Sequence, residues 1–219
     1  MEQVVQVAAD GGAIVGDLSV PEGAAAVVLF AHGSGSSRHS PRNRAVAATL
    51  QCEGLGTLLI DLLTPAEERA DTARGHLRFD IDFLSRRLLA VMDWLARAPA
   101  TRKLRLGLFG ASTGAAAALV AAARQPARVG AVVSRGGRPD LAGAALGDVR
   151  APTLLVVGGE DHTVIGMNAE AHGHLACEKK LVVIPGATHL FEEPGALEEV
   201  ARLASSWFLR HLGAPAPAR

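Results

Sequence analysis

Gly110-Ala111-Ser112-Thr113-Gly114 sets a serine between two glycines, each two positions away, after the apolar run that starts at Leu104 and ahead of the small-residue run Ala115–Ala118. This G-x-S-x-G spacing predicts a strand, a sharp turn and a helix, with the serine lifted above the end of a sheet. The glycines leave room for strained torsions. The following helix aims backbone N–H groups and the positive end of its dipole at the same point, so nucleophile and anion stabilisation arrive together. The competing reading is a tight packing turn with an idle serine, since small residues are common in a chain with 24 Gly.

A serine hydroxyl needs a general base, and the base needs a carboxylate to fix its tautomer. In a chain ordered nucleophile, acid, histidine, the base is His189, in Gly186-Ala187-Thr188-His189 after the last predicted strand. A surface or capping histidine is the alternative. Asp161, in Gly159-Glu160-Asp161, is the leading orienting acid. Asp140 competes but also suits an N-cap after Pro139, and Glu160 sits next to Asp161 with its side chain expected to point away. His172 and His174 share a helical run with Cys177, but no further ligands gather there, so no metal site is expected.

The loop His32-Gly33-Ser34-Gly35-Ser36-Ser37 is too short for a dinucleotide fingerprint, and no cofactor is expected. It suits the second donor of an oxyanion hole, Ser34 N–H, with Thr113 N–H as the first, although a flexible turn would look the same. His32 fits a brace for that loop. Arg38, Arg42, Arg44, Arg135 and Arg138 fall on two loops at the same edge and could clamp a carboxylate or phosphate. Arg38, His39, Arg135, Arg138 and Phe191 are the candidate substrate contacts. A purely structural, solvated role for the arginines stays open.

These residues must be positioned by alternating elements. Gln3–Ala8 and Ala13–Val20 read as an edge β-hairpin about Asp10-Gly11-Gly12. Buried strands are expected at Ala25–Ala31, Thr57–Leu62, Leu104–Gly110, Val129–Ser134, Thr153–Val157 and Lys180–Ile184. Helices are expected from Pro41 to Glu53, from Ile81 to Leu95 by its apolar spacing, after Ser112, near Val164–Cys177, and from Gly195 to Leu212. Thr64–Arg78 is polar and reads as a long surface loop shading the site. The pattern predicts an α/β fold with a mostly parallel eight-stranded sheet, helices on both faces and no large cap domain. Its binding crevice lies at the carboxyl ends of the strands. His32–Ser37, Asp61, Ser112, Arg135–Asp140, Asp161 and His189 all fall there.

At 219 residues and 49% hydrophobic content the chain suits one domain, residues 1–212, with a Pro- and Ala-rich tail from Gly213 to Arg219. Twenty-two basic and 22 acidic residues cancel, so no net field recruits nucleic acid or an anionic membrane. No apolar run reaches the ~18 residues of a membrane span, and Met1-Glu2-Gln3 does not open a signal peptide, so a soluble, cytoplasmic protein is expected. Cys52 and Cys177 fall in helical runs and read as buried or half-buried thiols without a disulfide. The expected partner is a small-molecule ester, with a homodimer left open.

Taken together, these motifs resemble the α/β-hydrolase superfamily, and within it the small, cap-less dienelactone hydrolase-like family, over nearly the whole chain. The tract Ser134-Arg135-Gly136-Gly137-Arg138-Pro139-Asp140-Leu141 is similar to one in a bacterial branch whose members include fusions to phosphoribosyltransferase-like domains; no such domain is read in this sequence. Dienelactone hydrolases proper use a cysteine nucleophile, whereas Ser112 stands here. The resemblance therefore implies a serine hydrolase of carboxylic esters working through an acyl-enzyme. Alternatives are a lactone hydrolase or acyltransferase on the same triad, or a non-catalytic module binding an anionic metabolite.

Overall fold

Ala26–Ala31 carries no polar side chain, and all six residues are buried in a strand, β3. Such a strand needs neighbours on both edges and cover on both faces. Both are present in the computed structural model, which describes residues 1–9 and 11–213, the side chains of residues 73 and 74 aside. β4 (Gly56–Ile60) and β5 (Arg105–Ala111) flank it in parallel, and β6 (Val129–Arg135), β7 (Thr153–Gly158) and β8 (Lys179–Ile184) continue beyond β5. The hairpin β1 (Glu2–Ala9) and β2 (Gly12–Ser19) closes the other edge by antiparallel pairing of β2 with β4. The order is β1-β2-β4-β3-β5-β6-β7-β8.

Alternation along the strands divides the core in two. Val27, Leu29, Leu108 and Val132 face α3 (Ile81–Leu95), α4 (Thr113–Arg124), α5 (His162–His174) and a 3-10 segment, Pro139–Asp148. Val28, Phe30, Phe109 and Val133 face α1 (Pro41–Cys52) and α6 (Ala196–Leu212). Residues Thr113 to Ala122 of α4 are all buried, and apart from Leu119 and Val120 they are small, as fits a helix held close between the sheet and its neighbours. Alanine meets that limit with the best helix propensity.

The polar stretch after β4 differs from the expected loop. Pro65–Arg74 is a helix, α2, followed by a 3-10 turn at Leu77–Phe79. Its signal is a capping box: Thr64 Oγ1 accepts from Glu67 N–H at 3.2 Å, Glu67 Oε2 accepts from Thr64 N–H at 2.7 Å, and Pro65 fills the first helical turn. Hydrophobic periodicity could not reveal it, because α2 buries almost no apolar face. Asp71 secures the exit by accepting from Leu77 N–H and Arg78 Nε.

The cysteines meet the expectation only in part. Cys52 ends α1, as expected of a helical residue, but is exposed; Cys177 is half-buried, as expected, but lies beyond the end of α5, with its thiol 3.7 Å from Thr153 Oγ1. Of the expected tail only Gly213 lies within the described residues, as does all of the β1–β2 turn except residue 10. Among the described residues no helix is long and apolar enough to cross a membrane.

A Cβ on Gly114 would stand 2.4 Å from the carbonyl oxygens of Ala31 and His32, backbone that cannot give way, whereas one on Gly166 in α5 meets nothing within 4 Å. Gly114→Ala is expected to cost about 3 kcal/mol or more, and Gly166→Ala to add about 0.5–1 kcal/mol. Urea denaturation of the two variants beside the parent checks both signs.

Candidate active site

At the end of β5 the chain must leave the sheet and start α4 without a connecting loop. Ser112 makes that turn with φ 49° and ψ −122°, a left-handed conformation that a side chain adopts only under strain. Its N–H donates to Arg135 O at 3.3 Å, and its carbonyl accepts from Ala115 N–H and Arg138 N–H, each at 3.1 Å. The flanking glycines are steric requirements. A Cβ on Gly110 would lie 2.3 Å from Ala115 Cα, and one on Gly33 would lie 3.0 Å from Ser112 Cβ. Helix and strand thus meet backbone to backbone, and the serine projects from the point of contact.

His189 has further to come. It follows β8, three strands from β5, or roughly 14 Å at ordinary strand spacing. The loop after β8 covers part of that distance by lying across the top of β7. A Cβ on Gly158 would meet Ala187 O at 2.4 Å and Thr188 O at 2.5 Å, and one on Gly136, at the end of β6, would sit 3.1 Å from His189 O and 3.6 Å from its ring. Two bare backbone positions therefore let the histidine loop return over the sheet edge. Phe191 holds it there, with φ 56° and its ring 1% exposed in the core. The expected role of Phe191 as a substrate contact is thereby corrected: its ring is spent on anchoring the loop.

His189 Nδ1 is 2.6 Å from Asp161 Oδ2. That carboxylate favours the proton on Nδ1 and leaves Nε2 with a free lone pair on a side chain 39% exposed. Asp140, the competing acid, forms a two-pronged pair with Arg138, Nε–Oδ1 at 2.9 Å and Nη2–Oδ2 at 2.7 Å, and does not engage the histidine. Ser112 Oγ makes no hydrogen bond to His189 among the described residues, as is common for a nucleophile and base before substrate draws them together.

The loop after β3 is held by side chains. His32, 8% exposed, donates from Nδ1 to Gly33 O at 2.8 Å and accepts Leu62 N–H on Nε2 at 3.0 Å. Both nitrogens are used, so the ring ties the β3 loop to the end of β4 and stays neutral, and burial lowers its pKa from 6.5. Ser34 N–H donates to Thr113 Oγ1 at 3.0 Å. It therefore stands beside the first residue of α4, whose own N–H has no acceptor within the helix. Ser34 N–H reaches a substrate oxygen only by giving up the threonine hydroxyl. That partnership was invisible in the sequence, where Thr113 counted only for its backbone. Beside this loop a shallow cleft, open to solvent, is lined by Ser34, Thr113, Leu62, Leu63, Glu68 and Arg78 among others.

The basic residues at this edge are mostly committed to carboxylates. Arg38 pairs with Asp61 and, at 3.3 Å, with Asp17; Arg44 pairs with Asp17 and Arg42 with Glu192, each at 3.0 Å. His39 is exposed, its backbone N–H on Ser37 Oγ. Arg135 is different: it is 8% exposed, and among the described residues its side chain bonds only to Asn43 Oδ1, at 3.3 Å. Burial, with Arg42 as a like charge nearby, lowers its pKa to about 10.

Residues 11–211 match the model of the dienelactone hydrolase family. The chain belongs to that family. A crystal structure of a dienelactone hydrolase from Anabaena variabilis is 59% identical, with a TM-score of 0.95 over 97% of this chain and 98% of that one. A lid-less α/β serine hydrolase of Xanthomonas campestris shares the fold at 20% identity and a TM-score of 0.76, over 98% of this chain and 97% of the other. Curated relatives from two strains of Mycobacterium tuberculosis, provisionally named phosphoribosyl transferase, are 56% identical over 216 residues, which is 99% of this chain. The chain spans 48% of the length of those relatives. The eight-stranded, mostly parallel sheet with flanking helices matches the α/β-hydrolase fold of these neighbours.

His32 also makes stability depend on pH. Its folded pKa lies below the unfolded value of 6.5, so the unfolded chain takes up the proton first as pH falls. The contribution is complete above about 6.5 and is lost as pH drops from there toward the folded pKa; His211, also lowered by burial, acts with the same sign. Chemical denaturation from pH 8 to about pH 5 should show the parent losing stability below about 6.5 and His32→Gln losing less. Equal slopes for the two proteins contradict the assignment.

Proposed function

We propose that the chain is a serine hydrolase of carboxylic esters. Ser112 Oγ attacks the carbonyl carbon while His189 Nε2 takes its proton, and Asp161 holds Nδ1–H and balances the charge that forms on the ring. The oxyanion is met by Thr113 N–H at the start of α4 and by Ser34 N–H as it exchanges the threonine hydroxyl for the substrate oxygen. His189 then passes its proton to the leaving alcohol. Water, activated by the same nitrogen, releases the acyl group from Ser112.

The observation that carries this reading is the strained turn at Ser112. A φ of 49° on a serine serves no packing purpose that a glycine would not serve better, and it costs about 1–3 kcal/mol. Such strain persists where it aims a side chain. The His189–Asp161 pair at 2.6 Å adds a base oriented by a third group, as nucleophilic catalysis needs. The transferase name of the mycobacterial relatives describes proteins about twice as long, and we assign hydrolytic chemistry to the half that this chain matches. Lactone opening and transfer of the acyl group to another acceptor would use the same residues.

With p-nitrophenyl acetate, Ser112→Ala and His189→Ala are each expected to lower kcat by on the order of 10⁴ or more, and Asp161→Asn by about 10³–10⁴. Parent-like turnover in Ser112→Ala would falsify the mechanism. Across acyl chains from acetyl to dodecanoyl, kcat/KM should be highest for the short esters, because the cleft beside Thr113 is open and small. A steady rise with chain length would point to a deeper acyl tunnel instead.

A further inference from the structure

Of the five arginines at the carboxyl edge of the sheet, four face a carboxylate, and Arg135 alone faces none among the described residues. Its Nη2 makes one long bond to a neutral amide, while Nε and Nη1 are shut off from solvent and donate to nothing. The charge that acts on it is another cation, Arg42, whose own Nε is likewise buried without an acceptor. A buried guanidinium with idle donors opposes folding until an acceptor meets it, and a second guanidinium beside it favours an anionic acceptor over a neutral one. The arrangement makes sense if the missing partner is a ligand.

Its place in the fold says which ligand. Ala131 and Val133 of β6 face α1, so alternation sends Arg135 to the same side, onto Asn43 in the first turn of that helix. Its backbone carbonyl accepts the N–H of Ser112, and Gly136, the next residue, lies against the ring of His189. The idle donors are thus rooted one residue from both ends of the proton-transfer pair. They approach from two elements, the end of β6 and the amino end of the 12-residue α1, whose positive dipole points the same way. A planar carboxylate satisfies one guanidinium edge, whereas a tetrahedral dianion offers oxygens in both directions and charge for both cations. Arg42 is held meanwhile by Glu192, 63% exposed, an ion pair weak enough for an entering anion to displace.

We infer that Arg135, Arg42 and the first turn of α1 form a subsite for a phosphate group carried by the ester substrate, beside the carbonyl that Ser112 attacks. The word substrate rests on the hydrolase reading; the anion site does not require Ser112 to react.

Binding and turnover test the two separately. In chloride-matched buffer, calorimetry and thermal shift are run with inorganic phosphate and with succinate on the parent, Arg135→Gln, Arg135→Lys and Arg42→Gln. Phosphate should bind the parent more tightly than succinate, with affinity falling about tenfold or more in Arg135→Gln and by less in Arg42→Gln. Without added anion the Tm of Arg135→Gln should equal or exceed the parent's, the reverse of what a structural arginine gives. Absence of phosphate binding to the parent, binding unchanged in the variants, or a preference for succinate each overturns the subsite. If Arg135→Gln does not fold, the lysine and Arg42 variants carry the same comparison. For turnover, the p-nitrophenyl ester of 3-phosphonopropionic acid is compared with p-nitrophenyl propionate. The ratio of their kcat/KM values should favour the phosphonate in the parent and fall about tenfold or more in Arg135→Gln. Arginine-dependent phosphate binding with no hydrolysis of either ester would sink the hydrolase reading and leave the subsite standing.

Discussion

The closest constraint in the molecule is the backbone contact between the end of β5 and the start of α4. Gly110 lies against Ala115, and Gly114 against the carbonyls of Ala31 and His32, at separations that exclude any side chain. Because the helix comes this near, Ser112 has no conformation open to it except the left-handed turn. The same approach sets the first N–H of α4 beside the β3 loop, so the candidate nucleophile and candidate oxyanion donors are placed by one event of packing. The alanines of α4 are the consequence further along: a helix seated so low on the sheet has room mostly for methyl groups, with Leu119 and Val120 the larger exceptions.

A second closeness serves the candidate base. β8 is the outermost strand on its side, yet the proposed chemistry needs His189 near β5. The loop from Ala187 to His189 lies on Gly158 and Gly136 as α4 lies on Gly110, so both approaches to the edge use the same physical means, backbone against backbone. Phe191 contributes from below, its buried ring fixing the loop together with the Glu160 N–H that donates to Ala187 O. Rigid anchoring suits a base whose lone pair must be aimed within a few tenths of an ångström.

Around this edge the charges are neutralised almost pair by pair. Against that background the guanidinium of Arg135, which faces no carboxylate among the described residues, stands out as a local excess of positive field near Ser112. The dienelactone hydrolase family supplies the sheet and the turn, and the loops and strand ends supply discrimination. The serine at the turn after β5 and the arginine at the end of β6 are the features of this chain on which the proposed chemistry rests.

The sequence by itself determined the alternation of buried strands and helices, since continuous apolar runs and period-3.6 patterns record burial directly. It determined the turn at Ser112 and the order Ser112, Asp161, His189, because glycine spacing and chain order are local properties. It did not reveal α2, whose stability comes from the Thr64–Glu67 capping box rather than from an apolar face. Nor could it show that Phe191 points into the core, that Ser34 N–H is taken by Thr113, or which of five arginines lacks a partner. Those outcomes depend on which side chains from distant segments meet, 79 residues apart for Ser34 and Thr113 and 92 for Arg135 and Asn43. Residue type fixes what a group can bond to; only the tertiary structure decides which groups come within reach.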